Sequence, residues 1–152
     1  MKLAIGCDKN ALELKNKVKN FIIEEKNLEV VDVGVSREAD ETYYPRVAKK
    51  VVEEIRSTED VEQGILICGT GIGMALTANK FEGIWAAKCH DIYSAERAKK
   101  SNNTNVLTMG AQVISYKLAF KLVDMWIDSE FTGGRSAPKV ELIEEYEAEE
   151  QK

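Results

Sequence analysis

Short apolar runs alternate with helix-period segments along almost the whole chain, and this alternation is the strongest constraint on its fold. Lys2–Cys7, Glu29–Val33, Gly64–Ile67, Ile84–Cys89 and Asn105–Met109 read as strands. Their near-continuous Val/Ile/Leu/Ala character fits strands buried on both faces. Between them, Ala11–Glu25 places Leu14, Val18, Phe21 and Ile22 on one helical face, and Val47–Ile55 does the same with Ala48, Val51, Val52 and Ile55. Pro45 suits a first helical position. Tyr93–Lys100, Ile114–Ile127 and Pro138–Glu149 read as further helices, the last carrying Val140, Ile143 and Tyr146 on one side. The expected architecture is a three-layer α/β/α domain spanning residues 1–152, with a five-stranded parallel sheet. Ligands of such sheets bind beyond the carboxyl ends of the strands. Those ends carry Cys7-Asp8-Lys9, Gly34, Cys68-Gly69-Thr70, Cys89-His90 and Met109-Gly110.

Composition removes several function classes. The net charge of −5 lacks the basic balance of a general nucleic-acid binder. No apolar run approaches the roughly 20 residues of a membrane span, and the N-terminus has no signal-peptide pattern. Three cysteines without metal-site spacing point to free thiols in a reducing, cytoplasmic setting. No metal or cofactor is expected.

The segment Gly64-Ile65-Leu66-Ile67-Cys68-Gly69-Thr70-Gly71-Ile72-Gly73-Met74 concentrates the chemistry. A buried strand runs into a cysteine, then into glycines spaced by two, then into a helical pattern, Met74–Lys80. Taken alone, Cys68 reads as a core thiol. The loop changes that reading, because glycines let backbone N–H groups approach a ligand and a helix N-terminus favours negative charge. A thiolate beside an anion hole is a base next to an oxyanion site. A Walker loop is excluded by the absence of Gly-Lys-Ser/Thr. A dinucleotide fingerprint fails at Met74, although Asp91 stands where a ribose-binding acid would. Asp8 and Lys9 are candidate substrate contacts. Arg135 and Lys139, four apart, would suit a phosphate. Asn102-Asn103 reads as a turn. His90, the only histidine, reads as a surface residue, and the acidic terminal helix as a solvated face.

These residues carry a resemblance. Gly6-Cys7-Asp8, Tyr44-Pro45, Ile67–Gly73, Ala78-Asn79-Lys80, Tyr93-Ser94-Ala95, Asn102–Leu107 and Gly133-Gly134-Arg135 resemble, in order and spacing, the ribose-5-phosphate isomerase B and galactose-6-phosphate isomerase (LacA/LacB) family. The resemblance implies a Rossmann-like domain that assembles as a homodimer or homotetramer, with active sites at the interface and the C-terminal helix packing on a partner subunit. It implies aldose–ketose isomerisation of a sugar phosphate without metal or nucleotide. Cys68 matches the base that moves a proton between C1 and C2 through an enediolate. Gly69, Gly71, Ile72 and Gly73 match the loop holding the oxyanion. Thr70 and Asn102 match residues near the carbonyl end, and Asp8 and Tyr44 match sugar-hydroxyl contacts. Arg135 and Lys139 match a phosphate clamp lent by the partner.

The chain departs from the family pattern at defined places. The family's Cys-Asp-His-Ala/Gly is Cys7-Asp8-Lys9-Asn10. The ring-opening histidine is Ser101, an arginine near the fifth strand is Gln112, and a clamp arginine is Lys139. Lys9 is a candidate replacement for the lost cation. Three explanations fit: an open-chain substrate such as a four-carbon sugar phosphate; a LacB-like subunit of a heteromer with a paralogous chain; or ribose 5-phosphate with His90 or a water doing the ring-opening acid's work. A non-catalytic sugar-phosphate sensor is the contrasting class, and an intact Cys68 argues against it.

Overall fold

A computed structural model of the chain describes residues 1–150. Five parallel strands form one sheet: β1 (Lys2–Cys7), β2 (Glu29–Asp32), β3 (Val61–Cys68), β4 (Ala86–Lys88) and β5 (Val106–Gly110). Their order is β2-β1-β3-β5-β4. Six helices accompany them: α1 (Leu12–Glu25), α2 (Tyr44–Ser57), α3 (Ile72–Ala78), α4 (Ile92–Lys100), α5 (Tyr116–Asp128) and α6 (Ala137–Glu150). The steps β1→β2 and β4→β5 run one way across the sheet, and β2→β3 and β3→β4 run the other. Right-handed crossovers then place α1 and α4 on one face and α2 and α3 on the other. The packing agrees: α5 packs with α1 and α4, while α2 packs with α3. Among the described residues, no helix is long and apolar enough to cross a membrane.

The expected three layers and five parallel strands are present, with shifted ends. β2 ends at Asp32, whose Oδ1 accepts the Gly34 N–H at 3.1 Å, although the Val33 and Val35 N–H groups beyond it still donate to Ile5 O and Cys7 O of β1. β4 is shorter than its apolar run. The Trp85 N–H goes to Asn105 Oδ1 at 2.8 Å, so Ile84 and Trp85 lie before the strand. β3 is longer and begins at Val61. Ser115 caps α5 through a bond from the Leu118 N–H.

The core is built as the periodicity requires. Val18 and Ile22 of α1, Ala48, Val51 and Val52 of α2, and Leu122, Val123 and Trp126 of α5 are fully buried around Ile65, Leu66 and Ile67. Phe21 is partly exposed and stacks on Phe120, with ring centroids 4.7 Å apart. Val140 is the buried residue of α6, whereas Leu142, Ile143 and Tyr146 are exposed.

Helix α2 packs on the sheet where two strand positions lack a side chain. A Cβ on Gly6 would fall 2.7 Å from Val47 Cγ1, and one on Gly64 2.7 Å from Val51 Cγ1 and 3.0 Å from Ile55 Cδ1. Well-packed interiors resist added methyl groups. Gly64→Ala is therefore expected to destabilise the fold by about 1–3 kcal/mol, lowering Tm by roughly 2–4 °C per kcal/mol in a chain of this size. Thermal unfolding of the variant, followed by circular dichroism, checks this.

Candidate active site

Three strand tips meet at the centre of the sheet's carboxyl edge. β3 pairs with β1 through Ile67↔Cys7 and with β5 through Cys68↔Gly110. Asp8, one residue beyond Cys7, is therefore level with Cys68. The helices following β1 and β3 leave on opposite faces, which opens a crevice at this point.

The thiol sits in a turn that its own sequence builds. Cys68 is 5% exposed. Its Sγ accepts the backbone N–H of Gly71 at 3.1 Å. Gly71 has φ of +77° and immediately precedes α3. A Cβ there would lie 2.8–3.0 Å from the Met109 backbone, so a side chain is excluded by both conformation and space. The Thr108 hydroxyl donates to Gly71 O at 2.9 Å. The Ala111 and Gln112 N–H groups donate to Cys68 O and Gly69 O at 2.8 and 3.0 Å. The loop is thus clamped at three carbonyls by β5 and the turn after it. The first N–H groups of α3 have no partner within the helix. One of them, on Ile72, reaches Thr70 Oγ1 at 3.4 Å.

Side chains complete the surroundings. The Tyr44 ring lies so close to Gly73 that a Cβ there would come within 2.5 Å of it. Gln112 lies over Gly69, its Oε1 3.2 Å from where a Cβ would stand. Asp8 is nearly buried, and its two oxygens accept the Asn10 N–H at 3.0 Å and the Asn10 side-chain amide at 3.2 Å. Lys9 pairs with Glu41 at 2.9 Å. That hydrogen bond raises its pKa and engages its charge within the chain. Asp91 accepts the Ser94 N–H at 2.7 Å as the cap of α4, which occupies the carboxylate a ribose would need.

The structure therefore gathers Cys68, Thr70, Gly69, Gly71, Ile72, Gly73, Asp8, Lys9 and Tyr44 at one edge. It separates three other candidates from them. Helix α4 returns antiparallel to the strands, so exposed Asn102, just past its end, lies at the opposite edge. Val106, the first residue of β5, pairs with Gly64, four residues or about 13 Å back along the strand from Cys68. Helix α5 ends at that same opposite edge, where Asp124 and Asp128 hold Lys26, the residue after α1. Arg135 and Lys139 follow it and are exposed. Further along α6, Glu147 accepts the Gly83 N–H at 3.1 Å. The return of each helix to the opposite edge was available from the strand–helix alternation. One contact had no such signal: the half-buried His90, read as a surface residue, accepts the Gly110 N–H through Nε2 at 2.9 Å.

This geometry can be set against known proteins. A sequence profile of the Ribose/Galactose Isomerase family matches residues 3–143. The chain belongs to that family. It is 54% identical over 145 residues to a protein of Listeria innocua named ribose-5-P isomerase B, covering 95% of this chain and 96% of that one. It is 46% identical over 150 residues to a protein of Pectobacterium atrosepticum named D-erythrulose-4-phosphate isomerase, covering 99% and 97%. Its structure superposes on ribose-5-phosphate isomerase B of Mycoplasma genitalium, solved with bound ribulose 5-phosphate, at a TM-score of 0.90 and 32% identity, covering 97% of each chain.

The three thiols differ in setting. Burial pushes Cys7 up to about 12 and Cys89 up to about 11. At pH 8 each is then thiolate in about one molecule per thousand or fewer. Cys68 alone has a backbone N–H aimed at sulfur and an open loop beyond it. Limited alkylation with iodoacetamide at pH 8, read by peptide mass spectrometry, is expected to modify Cys68 at least about tenfold faster than either other cysteine.

Proposed function

We propose that this chain is an aldose–ketose isomerase of open-chain sugar phosphates in which Cys68 is the base. The Gly71 N–H directed at Cys68 Sγ carries this reading, because it places a thiolate-stabilising donor at the mouth of the sheet's crevice. The family and the names of its members support a sugar phosphate as substrate.

The chemistry follows from the arrangement. The Cys68 thiolate removes the proton on C2 of the open-chain aldose. The C2–H electrons form the C1–C2 double bond, and the carbonyl electrons move to O1. The resulting enediolate is held by N–H groups of the Gly69–Gly73 loop other than that of Gly71, which faces the sulfur, a preorganised site for developing charge. The Cys68 thiol returns its proton to C1 while the O2 proton moves to O1, which gives the ketose. Thr70 lies beside these oxygens, and Asp8 and Tyr44 are placed to bind sugar hydroxyls.

The substrate is read from what the site lacks. Ser101 stands beside Asn102 where an imidazole would open a ring, and the Nε2 of His90 is occupied by Gly110. A four-carbon sugar bearing phosphate on O4 has no hydroxyl that closes a five-membered ring, so it needs no ring-opening acid. The relative named for D-erythrulose 4-phosphate supports this choice. A second reading, ribose 5-phosphate, draws on the 54% identity to the Listeria protein.

Arg135, Lys139 and Asn102 reach the thiol from a second copy of the chain. Ile72, Leu76, Tyr43, Tyr93 and Val113 are exposed, and Ile72, Tyr43 and Val113 stand in or next to the site's own loops. Such a group fits a surface covered in the assembly. The two cations then clamp the phosphate.

Purified single chain assayed on four-, five- and six-carbon sugar phosphates is expected to turn over the four-carbon substrate best. Cys68→Ala is expected to lose at least about a hundredfold in kcat. Arg135→Ala is expected to raise KM about tenfold or more with a smaller change in kcat. Full turnover by Cys68→Ala overturns the reading, and silence of the wild type across the panel redirects it to a heteromer or a sensor.

A further inference from the structure

His90 follows β4, on the same edge as Cys68, and its bond to Gly110 gives it a defined chemical state. A ring nitrogen that accepts an N–H is unprotonated, so the neutral ring carries its proton on Nδ1. Its partner is central to the site. Gly110 lies opposite Cys68 in the β3–β5 ladder, and a Cβ on Gly110 would fall 2.6 Å from Thr70 Cα and 2.7 Å from Gly69 O. The next two residues hold the carbonyls of Cys68 and Gly69. One residue before His90, the Cys89 N–H donates to Thr108 O at 3.1 Å, and the Thr108 hydroxyl holds Gly71 O. The segment Cys89-His90 is therefore tied, through β5, to both ends of the Cys68–Gly71 turn.

We propose that neutral His90, as the Nδ1–H tautomer, is a positioning residue that fixes Gly110 and thereby the Cys68–Gly71 turn, and that protonation of the imidazole releases it. Imidazolium carries hydrogen on both nitrogens. An Nε2–H facing the Gly110 N–H replaces a hydrogen bond with two opposed donors. Partial burial holds the ring below the ordinary histidine value, and the nearby Lys88 charge acts in the same direction. The Asp91 carboxylate faces the Ser94 N–H, Cys89 is a buried neutral thiol, and the Cys68 thiol stands across Gly110. Between the lowered folded value and about 6.5, the unfolded chain binds more protons than the folded one, so stability falls as pH falls through that window.

The catalytic consequence rests on the function proposed above; the tautomer does not. With one histidine in the chain, its imidazole signals need no assignment. Long-range proton–nitrogen correlation spectra of the intact labelled protein are expected to show Nδ1 protonated and Nε2 bare at pH 7.5. The titration midpoint is expected below 6.5, with the Gly110 amide shifting at the same midpoint. An Nε2–H ring, or a Gly110 amide indifferent to the titration, overturns the proposal whether or not the chain proves to be an isomerase. In the active enzyme, His90→Ala is expected to lower kcat at least about tenfold with less effect on KM. His90→Gln, whose Oε1 accepts at the Nε2 position without titrating, is expected to recover most of that loss and to shift the acid limb of kcat downward. An acid limb unchanged in His90→Gln overturns it, and this variant keeps the test open if His90→Ala fails to fold.

Discussion

The hydrogen bond from the Gly71 N–H to Cys68 Sγ, 3.1 Å long, sets the demands that the rest of this molecule meets. It requires the chain to turn back on itself within three residues of a strand end. It also requires a positive φ at Gly71 and no side chain against the Met109 backbone. The same turn starts α3, whose first N–H groups have no partner within the helix. On the proposed reading, the base and the site for developing charge belong to one piece of backbone. Neither moves without the other.

That piece of backbone is held from outside itself. Its carbonyls at Cys68, Gly69 and Gly71 accept bonds from Ala111, Gln112 and Thr108, so β5 and the turn after it act as the frame. β5 in turn is held by the end of β4 through Cys89 and His90. On the other flank, Gly73 admits Tyr44 from the start of α2, and Gly6 and Gly64 admit α2 itself to the sheet. The glycines that matter are those where another element approaches closely. Lys15, a buried residue of α1, serves the neighbouring tip: its ammonium bonds Asp32 and Val35 O at 2.9 Å each and holds the turn after β2 beside Cys7.

Much of this is legible in the amino-acid sequence itself. The run Gly64–Lys80 announces strand, glycine turn and helix because burial, positive φ and helical period each leave a distinct residue pattern. The faces of α1, α2 and α5 follow from period 3.6, and Trp126, Val51 and Ile22 are buried as that period requires. Strand ends were less legible, because side chains compete for ladder groups: Asn105 takes the Trp85 N–H, and Asn79 takes both the N–H and the carbonyl of Ala86. His90 was misread because its partner is a backbone N–H twenty residues away, and a backbone donor has no residue type to give it a signal. Asn102 lies across the sheet from Cys68 for a reason the sequence did contain, the return of each helix between parallel strands.

On the proposed reading, Cys68 carries the proton between the two carbons of an open-chain sugar phosphate. Proton NMR of D-erythrulose 4-phosphate incubated with the protein in deuterium oxide tests it directly. Deuterium is expected to enter the carbon beside the carbonyl with wild-type protein, because a thiol near solvent exchanges its proton, and not above background with Cys68→Ala. Undiminished deuterium entry with Cys68→Ala would contradict it.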